Sequence, residues 1–339
     1  MGYYFRLPNI NQLTIPQQAA VNETRSIKIV GGPGTGKSVV SLWRHIRNHS
    51  LNLRSSLLLT YTKTLATFLS ATARSANSVA GNHVNRTLWW ATHNGESYDE
   101  IIVDEAQDVE LDRYNILRAK SKSVSYGVDE DQSLYLSRQD LTQLIHGLKQ
   151  MFPSNIVYDF DVNFRNTKEI IQFVRALFPN KRVPRSEISV VKPKVLIHQN
   201  NRNQADAGIC GLINQYRSDT HNIAIFVPTI NDINYYHNVL SNSEIKHSFY
   251  CHTNEGIEQI ENVHLTTFKS SKGTEFDSVI IPDFEKMLSN IARLNVVNEN
   301  DYYVALTRSR RNLFLFCNNH PEFLRRSATQ LSTYEIENL

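Results

Sequence analysis

The run Gly31-Gly32-Pro33-Gly34-Thr35-Gly36-Lys37-Ser38 fits G-x-x-x-x-G-K-[ST] at every defined position. Such a loop is a phosphate cradle: Gly32, Gly34, Thr35 and Gly36 turn their backbone N–H groups inward, and Pro33, which has no N–H, shapes the turn between them. Lys37 places a point charge at the β- and γ-phosphates, and the Ser38 hydroxyl is a ligand for Mg²⁺. A second constellation is Glu100-Ile101-Ile102-Val103-Asp104-Glu105-Ala106-Gln107-Asp108, an apolar strand ending in paired carboxylates. Asp104 suits Mg²⁺, and Glu105 suits proton abstraction from an attacking water. A third is Asp129-Glu130-Asp131-Gln132-Ser133-Leu134-Tyr135, where the Gln132 amide can sense a γ-phosphate. The first has a plainer reading as a glycine-rich turn with a surface lysine, and the second as helix capping.

The elements around them supply the context. Ile27-Lys28-Ile29-Val30 reads as a buried parallel strand entering the loop, and Val39, Leu42, Trp43 and Ile46 repeat at the spacing of one helix face. That helix aims its N-terminal N–H groups at the same anion. Upstream, Thr14 can cap a helix with Pro16 in its first turn, and Gln17 offers the donor and acceptor needed to read the adenine N6/N7 edge, or else is a solvated helix residue. Residues 56–60 form a second strand running into Tyr61, Thr62 and Lys63. These suit a nucleic-acid backbone and a stacked base, or equally a capped turn with a core tyrosine. Val84 to Trp90 reads as a third strand, so Trp89 and Trp90 face opposite sides and at least one is core.

The second half continues the α/β alternation. Ile209, Leu212, Ile213 and Tyr216 are spaced for a helix, 223–227 for a buried strand, and Ile233, Tyr236, Val239 and Leu240 for another helix. The 339 residues suggest two domains, divided at 152/153. With 41% hydrophobic and 20% charged residues the composition is that of a globular protein, and a net charge of +3 is compatible with a polyanionic partner without requiring one. Three dispersed cysteines support neither a disulfide framework nor a C-x-x-C metal site, and no apolar run reaches a membrane span. With no signal-peptide pattern, a cytoplasmic location is expected.

The three constellations, in that order, resemble the motor core of superfamily 1A helicases, the UvrD/Rep/PcrA type. The likeness extends through Asn163-Phe164-Arg165-Asn166, through Thr266-Thr267-Phe268-Lys269-Ser270-Ser271-Lys272-Gly273-Thr274-Glu275-Phe276, and through Tyr303-Val304-Ala305-Leu306-Thr307-Arg308. It implies an α/β fold of two tandem RecA-like domains with parallel sheets flanked by helices, using ATP and Mg²⁺. Phe164 is implied to stack on adenine, Arg165 and Arg308 to meet the γ-phosphate, and Gly273 and Glu275 to lie on the nucleotide side. Tyr61, Thr62, Lys63, Tyr135, Thr267 and Lys269 are implied to face a single strand of DNA, with RNA as an alternative.

Departures from the family pattern are Lys269 for the usual His, Val128 for a Gly, and Glu299-Asn300 for paired arginines. The accessory insertions 1B and 2B are expected to be missing, since only eleven residues separate Thr92 from Asp104. The implied activity is an ATP-driven single-strand translocase or helicase of 3′ to 5′ polarity. The alternative is a nucleotide-gated sensor acting with a partner such as a nuclease in defence or repair. The chain itself shows no nuclease motif.

Overall fold

The computed structural model of the chain describes residues 7–93, 96–129, 138–250 and 260–339. Two compact units result, one over residues 5–163 and one containing residues 164–339. The first has strands β1 (Ile27–Gly31), β2 (Ser56–Thr60), β3 (Val84–Arg86), β4 (Tyr98–Val103), β5 (Ser121–Val128) and β6 (Ile156–Phe160). Its helices are α1 (Ile15–Asn22), α2 (Lys37–Ser50), α3 (Lys63–Ala76), α4 (Ser78–Asn82), α5 (Thr87–His93), α6 (Leu111–Ala119) and α7 (Arg138–Met151). The strands line up as β3-β2-β4-β5-β1-β6, and every recorded pairing is parallel.

Parallel sheets are buried on both faces, so their strands are nearly continuously apolar and alternate residues serve opposite layers. Leu58 and Ile102 pack with Leu42 and Ile46 of α2 and Leu65 and Leu69 of α3. Leu57, Leu59, Ile101 and Val103 pack on the other face with Tyr114 and Leu117 of α6 and Leu144 and Leu148 of α7. The helix expected from Val39, Leu42, Trp43 and Ile46 is α2, with Leu42 and Ile46 in the core. The third strand is shorter than its sequence suggested. It stops at Arg86, and the chain turns into α5 at Thr87, where the β-like run of aromatic residues takes a helical period instead. One tryptophan is core, as expected: Trp90 is 1% exposed and Trp89 is 42% exposed.

The second unit holds β7 (Lys194–Ile197), β8 (Ile223–Val227), β9 (Ser248–Tyr250), β10 (Val263–Thr267), β11 (Phe276–Ile281), β12 (Ser309–Cys317) and β13 (Glu335–Asn338). Its helices are α8 (Lys168–Leu177), α9 (Arg202–Tyr216), α10 (Ile230–Asn242), α11 (Met287–Arg293), α12 (Glu299–Leu306) and α13 (Ala328–Leu331). The strand order is β13-β7-β12-β11-β8-β10-β9, again parallel throughout the recorded pairs. Ala224, Phe226, Val279 and Ile281 face α8 and α12, while Ile223, Ile225, Val227 and Ile280 face α9 and α10. Two parallel sheets of six and seven strands, each covered by helices on both faces, are a tandem RecA-like α/β architecture.

The division differs from the one at 152/153. Strand β6 pairs with β1, from Ile27↔Ile156 to Gly31↔Phe160, and so belongs to the first sheet. Among the described residues no helix is long and apolar enough to cross a membrane.

Candidate nucleotide site

The phosphate loop leaves β1 and closes where α2 begins. Gly36 caps α2 with φ +88° and ψ 17°, a left-handed conformation that L side chains adopt only at a cost. A Cβ there would also lie 2.6 Å from Gln17 Nε2. Gly36→Ala is therefore expected to destabilise the fold by roughly 1–3 kcal/mol, because strain and a clash coincide. A urea titration reads the shift, and an unchanged midpoint would contradict the geometry.

Lys37 extends back along the loop. Its Nζ donates to Gly31 O at 2.8 Å and Gly32 O at 2.9 Å, and lies 3.4 Å from Asp129 Oδ2 in a buried ion pair. Thr35 Oγ1 donates to Gly32 O at 3.0 Å. Gln17 is buried and committed on both sides of its amide: Nε2 donates to Thr35 O at 2.9 Å, and Oε1 accepts from Thr14 N at 2.9 Å. In this structure Gln17 braces the loop. Asn163, just beyond the strand β6 that pairs with β1, does the same, donating from Nδ2 to Pro33 O at 2.8 Å.

Strand β4 delivers Asp104 and Glu105 beside that loop, and a buried polar network holds the register. Arg44 of α2 donates to Glu100 Oε1 at 2.8 Å, and Asn48 of the same helix donates to Glu100 Oε2 at 2.8 Å. The Arg44 guanidinium also donates to the carbonyls of Ala20 (3.2 Å) and Arg25 (2.7 Å). Helix α2, which follows the loop, is thus locked to the strand carrying the acids. Fixing register is the best-attested use of a buried ion pair.

Asp104 is fully buried, and neither carboxylate oxygen has a hydrogen-bond partner in bonding geometry. Burial and the neighbouring Glu105 carboxylate push it up to about 7, against the pull of the Ser38 hydroxyl and the Lys37 ammonium. A buried carboxylate without hydrogen-bond donors is a site whose charge a hard cation would compensate. Oxygen donors from Asp104 and Ser38 fit Mg²⁺, which takes few protein ligands and keeps several waters.

Glu105 sits at φ 58° and ψ 46°, a left-handed conformation uncommon outside glycine. Gln107, fully buried, holds it there: Gln107 Nε2 donates to Glu105 Oε2, and Gln107 Oε1 accepts from Asp129 N at 3.0 Å. Lys37, Asp129, Gln107 and Glu105 thus form one chain of contacts from the glycine-rich loop to the Glu105 carboxylate. Asp129, Gln107 and Asn163 were not singled out from sequence. Gln132 and Tyr135 lie outside the described residues.

In the second unit, Arg165 Nε donates to Glu275 Oε2 at 2.9 Å, and Arg310 Nη1 lies 3.5 Å from Glu275 Oε1. Burial would raise Glu275, yet Arg165, Arg310 and Arg308 hold its carboxyl below the usual range. Arg308 donates to Val304 O at 3.1 Å and Thr274 O at 3.4 Å. Asn166 donates to Thr307 O at 3.0 Å and Ser309 O at 2.5 Å, so the segments bearing Arg165 and Arg308 are pinned together. Phe164 presents its ring to solvent, 46% exposed. Gly273 has φ +79°, and the turn before it is closed by Thr267, whose Oγ1 accepts from Ser270 N at 3.3 Å. Lys269 is half-buried and Lys272 buried, and both pull down on Asp301, which burial pushes up to about 6.

The residues expected to face a single strand on the first unit are partly occupied elsewhere. Tyr61 is half-buried against the core around Leu57 and Leu59. Burial and the nearby Asp108 and Glu110 raise its hydroxyl pKa. Thr62 Oγ1 accepts from Leu65 N at 3.2 Å as the cap of α3, which leaves Lys63 exposed.

Comparison with known proteins places this geometry. Residues 17–138 match a family model described as an AAA domain. A protein of Acanthamoeba polyphaga mimivirus assigned as an ATP-dependent DNA helicase is 26% identical over 321 residues, which is 87% of this chain and 43% of that protein. The ATP-dependent DNA helicase Rep of Buchnera aphidicola is 29% identical over 125 residues, 34% of this chain and 19% of that protein. The chain thus spans less than half the length of either relative. Among solved structures, the arterivirus nonstructural protein 10 helicase covers 89% of this chain and 61% of its own, at 12% identity and a TM-score of 0.45. With the glycine-rich loop, the paired acids and the later motifs in family order on two RecA-like sheets, the chain is similar to the core of superfamily 1 helicases.

Proposed function

We propose that this chain is an ATP-driven motor acting on single-stranded nucleic acid, DNA by preference, moving 3′ to 5′. The observation that carries the proposal is the chain of contacts joining Lys37, Asp129, Gln107 and Glu105, next to a buried Asp104 whose carboxylate oxygens have no hydrogen-bond partner in bonding geometry. A phosphate-binding lysine, a metal carboxylate and a positioned base are the parts that phosphoryl transfer to water requires.

Lys37 and the loop N–H groups bind the β- and γ-phosphates, and Asp104 with Ser38 holds Mg²⁺. The metal supplies charge neutralisation at the phosphate oxygens when bound. Glu105 accepts the proton of the attacking water, in the orientation Gln107 imposes. The family likeness assigns Phe164 to adenine and gives Arg165 and Arg308 the task of balancing charge on the transferred phosphoryl. Glu275 and Gly273 support them. In this reading Gln17 acts on the loop as well as on the base.

The motor is of a reduced kind. Helix α5 ends at His93 and β4 begins at Tyr98, while β8 leads through α10 and β9 to β10. No length is left there for the accessory insertions 1B and 2B. Movement along one strand needs only cyclic opening and closing of a grip. Strand separation then falls to a partner that engages the duplex.

Phosphate release measured with and without oligo(dT), an RNA single strand, or blunt duplex tests the proposal. Single strands are expected to raise turnover severalfold and blunt duplex not to. Turnover indifferent to every single strand would defeat the motor reading.

A further inference from the structure

Among the described residues of the first unit, Trp89 offers an aromatic side chain to solvent beside the strand ends, whereas Tyr61, which was expected to stack, is half-buried against the core. We propose that Trp89, backed by His93, is a stacking platform for a base of single-stranded nucleic acid. The proposal rests on the motor reading and says where one base sits.

Strand β3 is the neighbour of β2, with Thr60 paired to Arg86, so their C-terminal ends lie side by side. Thr87 then donates from Oγ1 to Thr60 O at 3.3 Å, which fixes the start of α5 next to Tyr61, Thr62 and Lys63. Within α5, Thr87 and Trp90 are buried and anchor the helix. Trp89 consequently projects away from the core. His93, one turn further on, lies parallel to it, with ring centroids 5.0 Å apart and planes 4° from each other. His93 Nδ1 is in turn within 2.9 Å of Trp89 O and 2.7 Å of Thr92 Oγ1.

The stack is therefore held at both ends. One face of the indole is covered, and its orientation is set before any ligand arrives, which lowers the ordering cost of binding. An open aromatic face takes any base, since every base has a π-face, and stacking of this kind is tolerant of sequence. Lys63 stands exposed in the first turn of α3, an unfavourable place for a cation in the field of that helix, and supplies positive charge near the same edge. An aromatic face with a neighbouring cation is the combination that grips a flexible single strand.

Tryptophan emission of the full chain, titrated with oligo(dT), reads the contact directly, because Trp43 and Trp90 remain as internal references. Wild type is expected to show quenching on binding. Trp89→Ala should raise the dissociation constant about 5- to 150-fold and abolish most of the quench. Trp89→Phe should recover most of the affinity, again without the quench. An unfolding midpoint close to wild type in both variants shows that the fold is retained. If wild type binds and Trp89→Ala binds equally tightly, or if the quench survives in Trp89→Phe, the platform is overturned and the motor reading stands. A wild type that binds no single strand overturns the motor reading and the platform with it.

Discussion

Glu105→Gln is expected to lower ATP turnover by about 10²- to 10⁴-fold, the usual contribution of a positioned general base. The replacement keeps the size and the hydrogen-bond acceptor of the side chain. Gln107 Nε2 can still donate to it, and the left-handed backbone at this position is undisturbed. What disappears is the capacity to take a proton from water. A negative charge next to Asp104 disappears as well. That charge is one of the two causes raising the Asp104 pKa, after burial, so its removal makes Asp104 ionise more readily and favours the metal. Nucleotide and Mg²⁺ should therefore bind at least as well as in wild type while the chemical step slows. Single-turnover phosphate release, with nucleotide affinity measured in parallel, separates these effects. A variant that turns over at the wild-type rate would remove Glu105 from the mechanism, and one that loses nucleotide binding would show its role to be structural.

The two halves of this site differ in how far they can be read from the chain. The phosphate loop and the acids after β4 are local: one strand end and the turn following it carry all their atoms, so residue type and spacing suffice. Asp129 and Gln107 reach the site through pairing. Strand β5 lies between β1 and β4, with Val30 opposite Val128 and Val103 opposite Tyr126. That register puts Gly127 level with Asp104 and Asp129 level with Gly31, where the loop begins, although about ninety residues of chain separate Asp129 from the loop. Nothing periodic in the sequence encodes which strand inserts between which. The same gap explains the domain boundary. Residues 156–160 read as a strand, but only its pairing with β1 assigns it to the first sheet.

Trp89 was obscured for a different reason. A short apolar run has no length over which period 2 can be told from 3.6. Once α5 is seen to begin at Thr87, Trp90 goes to the core and Trp89 to the surface. Residues 164–166 show a mixed case. Arg165 and Arg308 are recognisable by family likeness, whereas the Arg165–Glu275–Arg310 arrangement depends on side chains from three segments meeting.

Lys37→Ala should abolish catalysis to a similar degree, and the surroundings of Lys37 complicate its interpretation. Its ammonium bonds two loop carbonyls and faces Asp129 in a buried pair. Truncation removes the charge meant for the phosphates, which for a single well-placed donor typically costs about 10²- to 10³-fold in rate. It also takes the cation away from a buried carboxylate, which costs stability independently of any ligand. A loss of activity alone would not separate the two. The double variant Lys37→Ala with Asp129→Asn does, because the second change removes the carboxylate charge left behind. The single variant is expected to be both inactive and less stable, and the double variant to regain much of the stability while staying inactive. Thermal unfolding and phosphate release on the same preparations read both properties. Turnover that returns in the double variant would mean that Lys37 serves the fold and not the phosphates, and the phosphate-loop assignment would fall with it.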